Sequence, residues 1–281
     1  MRWGGSAEIM LRRGRSWLAL TCVALFSIWL LVLLIGGGGF DSENPSLIIM
    51  FLCFGASFMA GLALDFTCMA AAIGGVGREI VSGRWDLLRL TLLRLDQVVA
   101  AKHGAAQTHA WRWMALLIGT RLAISLMLLV TVLITFFQEH PFGLAELAAS
   151  PALLTQYLAL FLVIVLLGLV FSVEPFWRMR AVTALGVAIS TRTQQHAVGV
   201  LAALAAIMAI WLAQGFIILT IFMFASFLLA PLALAELSTL QVAVCSPWLL
   251  LGMFAGVVYG FYNIIQTWSL RSAERWLAQL K

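Results

Sequence analysis

The stretch REIVSGRWDLLRLTLLRLDQVVAAKHGAAQTHAWR, residues 78–112, is the longest polar interval of an otherwise apolar chain. It contains six of the 17 Lys and Arg residues of the protein. The flanking residues 47–77 and 113–137 are apolar, and each run exceeds the ~20 residues that a helix needs to cross a bilayer. The stretch therefore predicts a polar connection between two membrane spans.

The composition indicates an integral membrane protein. The 281 residues are 63% hydrophobic and 10% charged, whereas soluble domains are about 45–50% apolar and about 25% charged. The apolar runs are continuous and do not alternate with polar residues, which is typical of helices and not of a membrane barrel. We predict an all-α protein with a single transmembrane domain over residues 1–281, surrounded by the lipid bilayer.

Basic residues alternate between the loops, and this alternation predicts the topology. The N-terminal segment, residues 78–112, residues 178–192 and the C-terminal segment are basic, whereas the loops at 37–46 and 138–151 are acidic and contain no Lys or Arg. The positive-inside rule then predicts both termini on the cytoplasmic side of the plasma membrane, the inner membrane of a bacterial cell. Because the net charge of +5 is distributed over these loops, nucleic acid is not a predicted partner.

About six spans are predicted, and the segment before the last one is ambiguous. Residues 216–236 are apolar and long enough to cross, yet a seventh span would place the basic C-terminal segment outside the cell. The segment is therefore interpreted as a re-entrant hairpin, with an extra span as the alternative. A cleaved signal peptide is not predicted, because the first apolar run is too long and lacks an A-x-A site. The predicted spans are 17–36, 47–72, 113–137, 153–173, 197–214 and 248–268.

Within residues 78–112, apolar side chains recur at helical spacing. One stripe contains Trp85, Leu88, Leu92, Leu95 and Val99, and a second apolar set lies on the opposite side. A helix with two apolar faces is typical of one held between two protein surfaces. The alternative is an amphipathic helix that lies on lipid headgroups.

This segment resembles the cytoplasmic signature of type-2 ATP-binding-cassette permeases, roughly E-x-x-x-G-T-W-(D/E)-x-L-L-x-T-P followed by G-K. The chain departs from the pattern at Arg84, where the family usually has threonine, at Leu92, where proline is usual, and at Ala101, where glycine is usual. The resemblance covers this stretch and the layout of the spans. The matching positions are Glu79, Gly83, Trp85, Asp86, Leu87, Leu88, Thr91, Val98, Val99 and Lys102.

The resemblance implies that residues 78–112 are a coupling helix that docks on a separate nucleotide-binding ATPase subunit. It also implies a second permease subunit, identical or different, and transport that is driven by ATP and Mg²⁺ on the partner. The chain itself has no G-x-x-x-x-G-K-(S/T) motif, so we predict no enzyme activity, cofactor or metal in it. The partner-binding residues would be Glu79, Gly83, Arg84, Trp85, Asp86, Leu88, Arg89, Leu92, Leu95 and Lys102.

Two further interpretations concern function and the charges inside the spans. A class-distinct alternative is a membrane scaffold that binds a cytoplasmic partner through residues 78–112. Within the spans, Asp65 and Arg121 are the two charged side chains, and each costs roughly 2.5–3.5 kcal/mol at the bilayer centre. Because both are predicted about 12 Å from the cytoplasmic end of their spans, we expect them to form an ion pair. Contact with a substrate or an ion is the alternative.

Overall fold

A computed structural model shows an all-helical chain, as predicted. The structure describes residues 4–35, 45–82, 94–139, 151–193, 195–234 and 239–279. These residues contain no strand. They form six helices: α1 Gly4–Ile35, α2 Pro45–Val81, α3 Leu95–Glu139, α4 Pro151–Arg192, α5 His196–Leu234 and α6 Thr239–Gln279.

Five of the six helices are long and apolar enough to cross a membrane, which confirms the prediction of a multi-pass membrane protein at this level. The apolar segments are Gly14–Ile35, Pro45–Ile73, Leu95–Thr135, Phe161–Arg192 and Ala197–Thr220. The helices have 32 to 45 residues, well above the ~20 that a bilayer requires. They therefore extend beyond the hydrocarbon layer at one or both ends.

The helices alternate in direction, so one end of the bundle collects the starts of α1, α3 and α5 and the ends of α2, α4 and α6. Hydrogen bonds join these ends: Ser190 of α4 donates to the carbonyl of Ile73 at 2.9 Å, and Arg192 donates to Ser272 of α6 at 2.6 Å. A hydrophobic group, here named the base cluster, packs between them. Its buried members are Ala72, Val98, Val99, Ala106, Val187, Ala188, Ala273 and Leu277.

Two glycines let neighbouring helices approach closely. A Cβ on Gly119 of α3 would lie 2.7 Å from the carbonyl oxygen of Leu18 in α1, and a Cβ on Gly186 of α4 would lie 2.6 Å from the Cβ of Ala72 in α2. Small residues at helix crossings are a usual device in membranes, where packing replaces the hydrophobic effect as the force between helices. These two positions fix how α1 and α2 pack against α3 and α4.

Several predicted boundaries differ from the structure. The third span was predicted to begin at residue 113, but α3 begins at Leu95 and includes the last part of the predicted coupling segment. The predicted fourth span ended at residue 173, but α4 continues through Pro175 to Arg192. The segment at 216–236 was predicted as a hairpin or separate span, but residues 196–234 form one helix. Gln214 and Gly215 do not interrupt it, since a helix of this length tolerates a single glycine.

Candidate functional site

A buried ion pair joins α2 to α4 in the middle of the bundle. Asp65 is 0% exposed and Arg178 is 2% exposed. The Nε of Arg178 donates to Oδ1 of Asp65 at 2.8 Å, and its Nη2 donates to Oδ2. Two parallel bonds between guanidinium and carboxylate are the strongest arrangement for such a pair, and in a membrane the pairing removes two isolated charges.

Trp211 of α5 closes this pair from one side. Its indole Nε1 donates to Oδ2 of Asp65 at 2.9 Å, and its ring lies under the guanidinium of Arg178, 4.1 Å from centroid to Cζ. The tryptophan therefore hydrogen-bonds the anion and makes a cation–π contact with the cation. Asp65 is thereby sealed among α2, α4 and α5.

A second ion pair joins α3 to α4, and a proline helps to form it. Arg121 donates through Nη1 to Oε2 of Glu174 and to the carbonyl oxygen of Phe171 at 2.8 Å. That carbonyl has no helical partner, because residue 175, which would normally donate to it, is proline and has no N–H. Pro175 thus leaves a backbone acceptor that Arg121 occupies. The guanidinium also lies 4.4 Å from the centroid of the Phe171 ring.

Polar side chains of α5 and α6 complete the surroundings of Glu174. The hydroxyl of Tyr262 donates to Oε1 of Glu174, and Nε2 of Gln214 donates to the same oxygen at 3.2 Å. Ser57 of α2 accepts a bond from Nε of Arg121 at 3.3 Å. Five helices, α2 to α6, therefore contribute polar groups to one cluster, whose two cations and two anions balance.

A cavity of about 430 Å³ lies against this cluster. Its polar wall consists of Arg121, Glu174, Arg178 and Gln214, and Tyr262 stands beside them. The other walls are mainly aromatic and aliphatic. They are formed by Phe58, Phe171, Trp211, Gly215, Ile217, Ile218, Phe254, Val258 and Phe261. A mostly apolar cavity with a few convergent polar groups is the usual form of a small-molecule site.

The predicted pairing of Asp65 with Arg121 is wrong, although both are buried charges of this cluster. Asp65 pairs with Arg178, and Arg121 pairs with Glu174. The prediction failed because the fourth span was predicted to end at residue 173, which placed Arg178 in a cytoplasmic loop. In the structure α4 continues beyond residue 173. Its Glu174 and Arg178 lie four residues apart on one helix face, where Glu174 pairs with Arg121 and Arg178 pairs with Asp65.

Three members of the polar cluster were not predicted from the sequence. Trp211, Gln214 and Tyr262 lie in α5 and α6 and contact the charges directly. Gln214 offered a signal, since it is a lone amide within about forty apolar residues and such a group needs a polar partner in lipid. Tyr262 offered none, because tyrosine is common in spans for other reasons.

Most predicted coupling residues lie outside the described residues. These are Gly83, Arg84, Trp85, Asp86, Leu88, Arg89 and Leu92. Glu79 belongs to the last turns of α2, and its side chain is not described. Leu95 and Lys102 lie on α3. Leu95 packs against the base cluster, and Lys102 is half-buried.

The base cluster ties the start of α3 to the helix that carries Glu174 and Arg178. The ring Nε2–H of His103 donates to the carbonyl oxygen of Arg180 at 3.0 Å. Val98 and Val99 pack against Val187 and Ala188 of α4. A displacement of the start of α3 would therefore be transmitted to α4, because close-packed helices move as units.

Within the described residues, no group of three His, Cys, Asp or Glu side chains is arranged to hold a metal ion. Comparison with known proteins adds no family: no family model matches the sequence, and neither a curated protein nor a solved structure is significantly similar to it.

Proposed function

We propose that this chain is the permease subunit of an ATP-driven transporter, an exporter that couples to a separate nucleotide-binding ATPase subunit and pairs with a second permease subunit. The observation that carries the proposal is the sequence from Glu79 to Lys102, which resembles the coupling signature of type-2 ATP-binding-cassette permeases. ATP and Mg²⁺ bind to the partner in this proposal, and the chain contributes the path and the mechanical connection.

The geometry around this segment supports the proposal. The helix α2 ends at Val81 and α3 begins at Leu95, so the intervening residues connect two helices that both pack in the base cluster. From Leu95, α3 runs without interruption to Arg121, which is about 39 Å along its axis. A push on the segment would reach the polar cluster directly through α3 and indirectly through α4.

The proposed orientation is supported by the charges at the base of the bundle. Described basic residues at that end belong to four helices, and positive loops face the cytoplasm. We therefore place the base, both termini and the coupling segment in the cytoplasm and the chain in the plasma membrane. The residues are Arg15, Lys102, Arg112, Arg180, Arg192, Arg271 and Arg275.

An affinity purification tests the proposal. The tagged chain is purified from native membranes in mild detergent, and the eluate is assayed for vanadate-sensitive ATPase activity. The test variant is Trp85→Ala with Leu88→Ala. The matched control is Trp17→Ala with Leu20→Ala, which removes the same side chains from an exposed apolar face of α1, where they are 48% and 63% exposed.

We expect ATPase activity with the wild type and the control, and a loss of about tenfold or more with the test variant, because a few buried aromatic anchors dominate such interfaces. If no ATPase co-purifies with the wild type, the permease proposal fails. Stable capture of a cytoplasmic protein without ATPase activity would instead favour the scaffold alternative.

A further inference from the structure

The cavity beside the polar cluster has unused hydrogen-bond donors. Arg121 commits Nε and Nη1 to Ser57, Phe171 and Glu174, and its Nη2 donates to no group in the part of the chain that the structure describes. The Nη1 of Arg178 lies 3.9 Å from Glu174, beyond hydrogen-bond distance. Both arginines line the cavity, so the polar wall offers donors to an acceptor.

The same cavity opens sideways between helices. Phe58 and Ile218 line it, yet they are 52% and 57% exposed. Beyond Trp211 the α5 helix leaves the bundle, and Leu212 and Phe216 are 71% and 70% exposed. These residues belong to apolar segments of spanning length. The opening therefore faces the hydrocarbon of the bilayer.

Size and charge restrict what fits. A cavity of about 430 Å³ is within the ~300–1,000 Å³ of sites for small ligands, so a folded domain or a polymer cannot enter. The guanidinium and carboxylate groups of the cluster balance, so a ligand needs no net charge. An ion from water would exchange its hydration for mostly apolar walls, which is unfavourable.

We propose that the cavity binds a membrane amphiphile whose polar end presents oxygen acceptors to Arg121 and Arg178 and whose apolar body lies against Phe58, Phe171 and Phe254. The amphiphile enters laterally from the bilayer. The role of this ligand as the transported substrate rests on the proposed permease function. Its binding to the cavity requires no ATPase.

Photolabelling of the full chain in phosphatidylcholine nanodiscs tests the inference. Three probes carry a diazirine midway along the same 18-carbon chain: stearic acid, octadecanol and octadecane. Labelled peptides are identified by mass spectrometry. The variant Ile218→Trp fills the opening, and Leu212→Trp, on the exposed face of the same helix, is the matched control.

We expect the acid and the alcohol to label the cavity-lining peptides about tenfold more than octadecane, because bonds to the guanidinium groups are lost with the polar end. The Ile218→Trp variant reduces this labelling about tenfold and Leu212→Trp does not, since only the first blocks the cavity. Equal labelling by octadecane, or an equal response to both tryptophans, overturns the inference.

The outcome is separable from that of the ATPase purification. Selective labelling without a co-purifying ATPase leaves the binding site standing and removes the permease proposal. An ATPase that co-purifies without selective labelling leaves the permease proposal standing and removes this ligand from it.

Discussion

The two ion pairs of the polar cluster differ in how they are enclosed. Asp65 and Arg178 are bound by two hydrogen bonds and covered by Trp211, and Asp65 does not line the cavity. Glu174 and Arg121 both line it, and Glu174 shares its oxygens among Arg121, Tyr262 and Gln214. The carboxylate of the first pair is therefore sealed, although Arg178 lines the cavity, whereas both members of the second pair face it.

This difference predicts different roles for the two ion pairs. Asp65 does not face the cavity, so no ligand can replace Arg178 as its partner, and the pair holds α2 and α4 in register. The cavity-facing pair can exchange one donor or acceptor for a ligand group. We therefore expect changes at Asp65 to affect folding and changes at Glu174 to affect binding.

The largest effect is expected from Asp65→Asn. It leaves the guanidinium of Arg178 buried without its counter-ion, and breaking a buried pair costs about 3–5 kcal/mol. The free energy of unfolding, measured by SDS titration in mixed micelles, should fall by that amount. The double change Asp65→Leu with Arg178→Met removes both charges and leaves only the Trp211 N–H without its acceptor, so it should cost less than the single change, about 1–3 kcal/mol. A small loss for the single change would contradict a sealed pair.

A smaller loss of stability is expected from Glu174→Gln. The amide keeps one acceptor oxygen for Tyr262 and Gln214 but loses the acceptor for Arg121, which costs about 1–3 kcal/mol. The cavity gains a net positive charge, so labelling by stearic acid relative to octadecanol should rise about tenfold. The same titration and photolabelling measure both quantities. An unfolding cost equal to that of Asp65→Asn would remove the distinction between the pairs.

Pro175→Ala should not lower stability and should weaken binding in the cavity. Alanine restores the N–H that bonds the carbonyl of Phe171, and it favours the helix by up to about 3 kcal/mol. Arg121 then loses an acceptor that fixes its direction, which costs about 1.5–3 kcal/mol. We expect an unfolding free energy that does not fall and cavity labelling that falls about threefold. Unchanged labelling would show that the proline does not position Arg121.

The smallest effect is expected from Tyr262→Phe. It removes one of the donors to Glu174 while Gln214 remains, so the unfolding free energy should fall by about 1 kcal/mol. Tyr259→Phe is the control, because Tyr259 is on the same helix and is 48% exposed. Equal effects of the two changes would place the Tyr262 hydroxyl outside the cluster.

The helical class and the presence of several helices long enough to cross a membrane were predictable, because continuous apolar runs leave lipid-embedded backbone few alternatives. The ends of α4 and α5 were not. Glu174 with Pro175 has the composition of a helix end, and only the partners Arg121 and Tyr262, distant in sequence, make that position stable inside a span. The choice of Arg178 over Arg121 for Asp65 likewise depends on the relative depth of helices, which periodicity does not give.

The central claim is that ATP on a partner subunit moves the helices that form the cavity. Its direct test is photolabelling by octadecanol of the chain co-purified with its ATPase, with and without ATP and vanadate. We predict that trapping with ATP and vanadate changes the labelling of the cavity-lining peptides at least about threefold, since coupling free energies of about 1–3 kcal/mol are typical. The variant Trp85→Ala with Leu88→Ala should abolish this change. Identical labelling in both states, with the ATPase bound and active, would contradict the claim.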